Sequence, residues 1–87
     1  MVSKEIVVQN QVGLHARPAT FFVQKANEFS ASIAISKDER KANAKSLLGV
    51  LSLGITRGTA VTLTADGADE EAANEGLASL VESNFAE

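Results

Sequence analysis

The sequence GLHARPATFFVQKANE, residues 13–28, marks the first change from strand to helix along the chain. Pro18 favours the first turn of a helix, because its ring fixes φ and it has no N–H group. Beyond it, apolar side chains recur at the spacing of one helix face, at Ala19, Phe22, Val23 and Ala26. The stretch therefore predicts a helix that begins within a residue or two of Pro18 and runs to about Glu28.

Strand and helix patterns alternate on both sides of this helix. EIVVQ (5–9) is a short β-branched run followed by a breaker, which predicts a strand. SASIAIS (30–36) alternates as a strand does, and residues 40–43 return as a short strand from the hairpin tip KDER (37–40). TAVTLTAD (59–66) alternates in the same way and predicts a fourth strand.

Two further helices are predicted by their start and stop signals. SLLGVLSLG (46–54) begins on Ser46, a residue type that caps helices, and ends on Gly54. Asp69 is placed to cap the last helix, with Glu70 and Glu71 in its first turn. The residues predicted to face the core from the later elements are Ile33, Ile35, Val61, Leu63, Ala65, Ala73, Leu77, Leu80 and Val81.

The predicted order of elements is βαββαβα, and no linker is long enough to divide it. Residues 1–87 are therefore predicted to form one domain, since a chain of this length cannot bury a second core. Four short strands and three helices predict an α+β fold with one antiparallel or mixed sheet and helices on a single face.

Composition and charge exclude several classes of protein. No apolar run approaches the roughly 20 residues that span a bilayer, and the N-terminus lacks a signal-peptide pattern, so we expect a cytoplasmic protein with no membrane insertion. The absence of Tyr and Trp and a net charge of −3 disfavour nucleic-acid binding. Residues 1–65 carry all eight Lys and Arg against four acids, whereas residues 66–87 carry seven acids and no base. A solvated acidic helix accounts for the second half; a basic half that steers towards an acidic partner is the sharper alternative.

His15, the only histidine, lies just ahead of the first helix. A lone histidine is usually a surface or packing residue. Here, however, the positive end of the helix dipole disfavours an imidazolium, so we expect a neutral ring with a nucleophilic lone pair. A phosphoryl group on that ring would bring negative charge to backbone N–H groups and to Arg17.

Other chemistries lack the residues they need. A zinc site requires three or four ligands, which one His and no Cys do not provide. No G-x-S-x-G turn is present for a serine nucleophile, and GITRG (54–58) lacks the Lys and Ser of a phosphate-binding loop. The sequence thus predicts no metal, no cofactor and no nucleotide site, so that another protein must phosphorylate the histidine.

GLHARPA (13–19) together with AKSLLGVLSLGI (44–55) resembles the histidine-containing phosphocarrier (HPr) family of the bacterial phosphoenolpyruvate:sugar phosphotransferase system. The resemblance spans essentially the whole chain. It implies an open-faced β-sandwich, with a four-stranded antiparallel sheet and three helices on one face. It also implies that the chain is a carrier and not an enzyme: His15 accepts the phosphoryl group on Nδ1 from enzyme I, Arg17 helps to hold it, and enzyme IIA domains remove it. Many relatives have Asn or Ser where this chain has Val12, so any side-chain hydrogen bond from that position is lost.

A carrier needs an exposed surface that its partners can recognise. Apolar residues of the second helix, with Phe21, are candidates for a docking patch ringed by Lys45 and Arg17; they are Leu47, Leu48 and Leu51. The alternative for the leucines is core packing, and we expect about half of them inside. A transient carrier is expected to be a monomer.

Ser46 has two interpretations. As a helix cap it needs no further explanation. In Gram-positive relatives, however, the serine in this context is the target of a regulatory kinase, which adds a serine kinase/phosphorylase and a catabolite-control transcription factor to the partners that the resemblance implies. The alternative function is therefore a regulatory module acting through phospho-Ser46 on a transcription factor or enzyme, although carrier-inactive relatives of that kind lack the histidine. A third class is an unrelated domain with a structural histidine.

Overall fold

Four strands and three helices follow one another in the predicted order in a computed structural model that describes residues 1–9 and 13–83. Their bounds are β1 Val2–Val7, α1 Ala16–Ala26, β2 Ser32–Lys37, β3 Arg40–Asn43, α2 Leu47–Ser52, β4 Ala60–Asp66 and α3 Glu70–Glu82. No helix within the described ranges has the length and hydropathy needed to cross a bilayer.

The strands form one sheet in the order β1-β4-β2-β3, and every neighbouring pair is antiparallel. This confirms the antiparallel sheet that the resemblance implies. It excludes the mixed sheet, which the sequence pattern alone had allowed. Strand β1 is displaced from its predicted range, 5–9, to residues 2–7. It is an edge strand with β4 as its one neighbour, so it needs no continuous apolar run and its polar residues Ser3 and Glu5 pair with Thr64 and Thr62.

The core lies between the sheet and the three helices. All the predicted inward residues of β2 and β4 are buried, and Phe22 from α1 is the largest fully buried side chain among the described residues. Burial of a side chain of this size contributes about 1.5–3 kcal/mol. The helical residues that meet them are Ala19, Ala26, Ala73, Leu77, Ala78 and Val81, while Val23 and Leu80 are partly buried at the margin. No helix within residues 1–9 and 13–83 covers the opposite face of the sheet, where β2 and β4 present small Ser, Thr and Ala side chains.

Asp69 occupies the predicted cap position of α3, but its side chain makes no capping hydrogen bond, so that prediction is wrong in detail. Its carboxylate instead accepts hydrogen bonds from the backbone N–H groups of Ser30, at 2.9 Å, and Ala31, at 2.8 Å. The bond from Ser30 is the main cause that lowers the pKa of Asp69 below its ordinary value of 3.8. At Gly67, with φ of 155°, a Cβ atom would lie 2.7 Å from the Cα of Ala31. The start of α3 is thereby fastened to the turn before β2.

We expect Asp69→Asn to lower the unfolding temperature at neutral pH, because an amide has one acceptor oxygen in place of two, so one of the two backbone N–H groups would face an NH2 group, and because an amide oxygen accepts more weakly than a carboxylate. A carboxylate whose pKa is lowered by folding stabilises the folded state above its ordinary pKa, and this contribution is lost as the pH falls through the lower folded value. The difference in unfolding temperature between parent and variant should therefore be largest at neutral pH, and it should become smaller below pH 3.8. The control is Glu75→Gln, an exposed α3 acid with no hydrogen bond or ion pair in the described ranges. If the difference in unfolding temperature stayed the same in strong acid, the negative charge of Asp69 would not be the cause of the stabilisation.

Candidate functional site

His15 is the N-cap residue of α1, with an extended backbone at φ −80° and ψ −174°. Its carbonyl oxygen accepts a hydrogen bond from the N–H of Ala19 at 2.9 Å, whereas its side chain makes no capping bond and is exposed. The helix begins at Ala16, two residues before Pro18, so the proline is the third helical residue. The missing N–H is harmless there as well, because the first N–H groups of a helix have no intrahelical acceptor. The imidazole therefore lies at the positive end of the α1 dipole and does not cap the helix.

The two residues before His15 are fixed against the segment that follows α2. The N–H of Leu14 donates to the carbonyl of Ile55 at 3.0 Å, and the Leu14 side chain is buried. Gly13 has φ of 62°, and a Cβ atom there would clash with the Ile55 carbonyl oxygen and lie 2.6 Å from the Cα of Thr56. Only glycine accommodates this close approach. Val12 lies outside the described residues.

Arg17 follows His15 on the exposed side of α1. Its guanidinium carbon lies 5.9 Å from the centroid of the Phe21 ring, which is a cation–π distance. Phe21 itself is 41% exposed, so this aromatic group faces away from the core. Within residues 1–9 and 13–83 no carboxylate pairs with Arg17. Apart from the Phe21 ring, the guanidinium therefore has no partner among the described residues that would compete with a bound anion.

The leucines of α2 divide between surface and core, as expected. Leu48 is 82% exposed and Leu47 is 38% exposed, whereas Leu51 is partly buried against the core and Val50 is fully buried. Helix α2 therefore presents two leucines to solvent close to its start.

Lys45 does not complete a ring of charge with Arg17, and the structure corrects that expectation. Its ammonium donates to the carbonyl of Phe29 at 2.7 Å, and its own carbonyl accepts from Asn27 Nδ2 at 3.3 Å. Both partners follow the last turn of α1, whereas Arg17 lies in the first. Because α1 has 11 residues, the two ends are about 16 Å apart.

Ser46 caps α2 as predicted: its Oγ accepts a hydrogen bond from the N–H of Gly49 at 3.1 Å. It lies next to Lys45, so it shares the end of α1 that is remote from His15. Helices α1 and α2 consequently run in opposite directions, with the start of α2 beside the end of α1 and the residues after α2 beside His15.

The end of α2 is held by two cations that the sequence pattern did not reveal. Lys37 Nζ donates to the carbonyls of Leu53 and Gly54 at 3.3 and 3.2 Å, and Arg40 donates to the carbonyl of Ser52 at 2.7 Å. Such cations satisfy the last carbonyls of a helix and complement its dipole. The hairpin between β2 and β3 thus holds in place the α2 segment that leads to the His15 loop.

No group of three or more His, Cys, Asp or Glu residues in the described part of the chain is arranged to hold a metal ion. The chemistry available at this end of the molecule is that of an exposed imidazole, a free guanidinium and the first turn of a helix.

Comparison with known proteins gives consistent results. Residues 2–83 match the family model described as the PTS HPr component phosphorylation site. The chain is 48% identical over 82 residues to the HPr-like protein Crh of Bacillus subtilis, covering 94% of this chain and 96% of the relative. It is 42% identical over 81 residues to the phosphocarrier protein HPr of Haemophilus influenzae, covering 93% and 95% of the two chains.

Solved structures agree in fold. HPr-C-His from Thermoanaerobacter tengcongensis superposes with a TM-score of 0.98 at 49% identity, covering 100% of this chain and 98% of that one. A structure described as an HPr dimer from the same organism covers 100% of both chains at 49% identity, with a TM-score of 0.81.

Proposed function

The chain belongs to the PTS HPr family, and on that premise we propose that it carries a phosphoryl group on Nδ1 of His15 from enzyme I to enzyme IIA domains. The observation that supports this most directly is the position of His15, exposed, without a capping bond and at the start of α1 beside Arg17. Residues 1–87 act as one domain in this proposal, as a cytoplasmic carrier with no cofactor and no substrate site of its own.

The proposed step is an exchange of one bond for another. The lone pair of Nδ1 attacks the phosphorus on enzyme I, the new N–P bond forms, and the bond to the donor breaks with its electron pair returning to the donor. The dianion so formed meets the N–H groups of the first turn of α1 and the guanidinium of Arg17. A helix terminus stabilises such a charge by about 0.3–1 kcal/mol, and by up to about 2 when partly buried. This stabilisation is small enough for the onward transfer of the phosphoryl group to enzyme IIA to proceed.

The docking patch in this proposal consists of Phe21, Leu47, Leu48 and Leu51, with Lys45 as a backbone-anchored neighbour. Exposed apolar side chains near a reactive group are typical of surfaces that bind partners transiently. Leu48 contributes most, because it is the most exposed of the four.

The test is phosphorylation of the purified chain by enzyme I and phosphoenolpyruvate. Phosphorus NMR should show a phosphoramidate resonance, and the adduct should be lost in acid and be transferable to an enzyme IIA domain. Relatives described as dimers count against the expected monomer, so monomer and dimer fractions are separated first and assayed individually. No resonance in either fraction would remove the carrier function.

A second candidate is supported by the similarity to Crh, the catabolite repression HPr of Bacillus subtilis. In it, a kinase phosphorylates Ser46, and the phosphoserine form binds a transcription factor or an enzyme. Retention of His15 favours the carrier, because the carrier-inactive relatives lack that residue. The two candidates differ in the residue that carries phosphate, which phosphopeptide mapping identifies.

Substitutions of Ser46 separate capping from regulation. We expect Ser46→Ala to reduce the free energy of unfolding by about 1 kcal/mol, because it removes the acceptor for Gly49. Ser46→Asp keeps an acceptor and adds negative charge, so we expect near-parental stability and phosphorylation of His15 by enzyme I slowed about tenfold. Chemical denaturation and initial rates measure the two effects. Equal rates for Ser46→Asp and the parent would remove the regulatory interpretation.

A further inference from the structure

Arg57 lies at the tip of a tight turn, residues 56–59, between α2 and β4. The N–H of Thr59 donates to the carbonyl of Thr56 at 3.1 Å, and the N–H of Thr56 donates to the Thr59 hydroxyl at 3.2 Å. Gly58 has φ of 88°, which is the value that the third residue of a type II turn requires. Its N–H donates to the carbonyl of Val8 at 2.6 Å, so the turn is tied to the end of β1. The backbone of Arg57 is thus firmly held while its side chain is exposed.

This turn lies against the loop that carries His15. The approach of Gly13 to Thr56 places their Cα atoms no more than about 4 Å apart. Consecutive Cα atoms are about 3.8 Å apart, so the Cα of Arg57 is within about 15 Å of the Cα of His15. A standard protein interface buries about 800 Å² on each partner, which is wide enough to cover both residues.

The distribution of charge distinguishes this end of the molecule from the other. Asp69 bonds to the backbone just beyond the last turn of α1, and Glu70 and Glu71 follow it, so these acids lie about one helix length from His15. At the His15 end, Arg17 and Arg57 have no carboxylate partner in the described ranges. Lys37 and Arg40 lie at the same end, but both donate hydrogen bonds to carbonyls at the end of α2. The acids Asp38 and Glu39 lie between them, on the tip of the β2–β3 hairpin.

We propose that Arg57 is a docking cation for the phosphotransfer partner, binding carboxylates of an acidic protein surface that covers His15 and the 56–59 turn together. The inference rests on the proposed carrier function and adds to it a specificity-determining residue. Arg57 acts through the partner, by raising the rate of productive encounter, and does not touch the phosphoryl group. Exposed charges at an interface act in this way, with an effect that depends on ionic strength.

The experiment compares Arg57→Gln with the parent in phosphorylation of His15 by enzyme I. At low ionic strength we expect kcat/KM to fall about three- to tenfold through a higher KM, with kcat unchanged. At about 1 M salt, where the screening length is about 3 Å, the two proteins should react equally fast. Lys41→Gln removes the same charge from the uncovered face of the sheet and should leave the kinetics unchanged at either salt concentration.

Three outcomes overturn parts of this scheme separately. A parent chain that is never phosphorylated removes the carrier function itself. A phosphorylated parent with an Arg57→Gln variant of equal kcat/KM at low salt removes the docking role of Arg57 alone. Faster hydrolysis of the isolated phosphohistidine in Arg57→Gln also contradicts it, because that would place Arg57 on the phosphoryl group. Thermal unfolding of the variant, expected to match the parent, excludes a structural cause.

Discussion

We expect the His15→Ala variant to take up no phosphoryl group from enzyme I while keeping the stability of the parent chain. The substitution removes the only imidazole in the sequence, so no other nitrogen nucleophile of its kind is present. The side chain is exposed and makes no capping bond, and substitutions of this kind usually change the free energy of unfolding by less than about 0.5 kcal/mol. Phosphorus NMR and the mass increase measure uptake, and thermal unfolding measures stability.

Arg17→Gln is the matched control for this variant. It leaves the acceptor in place and removes the neighbouring cation, so phosphorylation should slow but still reach completion. An acid-labile adduct of normal yield on His15→Ala would contradict the assignment, since the phosphoryl group would then lie on another residue.

The second large effect is expected at Gly13. We expect Gly13→Ala to reduce the free energy of unfolding by about 2–5 kcal/mol, which combines a left-handed backbone with an overpacked contact. The contact is with backbone atoms of Ile55 and Thr56, which cannot rotate away as a side chain would. In a domain of this size each kcal/mol lowers the unfolding temperature by about 4–8 °C, so calorimetry measures the effect.

Gly54→Ala provides the comparison that isolates the contact. Gly54 has the same φ, 62°, but a Cβ atom there meets nothing within 4 Å. Only the backbone penalty, about 1–2 kcal/mol, is expected. Equal losses in the two variants would show that the approach of residues 13 and 56 does not constrain the loop before His15.

The sequence predicted those features that depend on local periodicity. Alternation of apolar and polar residues identified the buried residues of β2 and β4, and helical spacing identified Ala19, Phe22 and Ala26. Both patterns arise because one face of each strand and helix is buried against the core. Ser46 was recognisable as a cap since its partner, Gly49, is only three residues away. The resemblance supplied the antiparallel pairing, which spacing alone had left undecided.

The features that were missed depend on contacts between distant segments. The sequence predicts Asp69 as the cap of its own helix. Its carboxylate oxygens instead accept hydrogen bonds from Ser30 and Ala31, which lie 39 and 38 positions earlier in the chain. The sequence predicts Lys45 beside Arg17 around the apolar patch, but the carbonyl of Phe29 binds the Lys45 ammonium instead. Arg57 carried no local signal at all. Its proximity to His15 follows from the approach of Gly13 to Thr56, which no pattern within either segment encodes.

The opposite directions of α1 and α2 separate the two proposed phosphorylation positions, His15 and Ser46, by about the length of α1. At about 16 Å, two phosphoryl dianions in water repel each other by only about 1 kcal/mol, and physiological salt screens that energy further over a length of about 8 Å. Direct repulsion is therefore too weak for one modification to prevent the other. On the proposed assignments, any mutual exclusion between phosphate on His15 and phosphate on Ser46 must be enforced by an enzyme large enough to cover both positions at once.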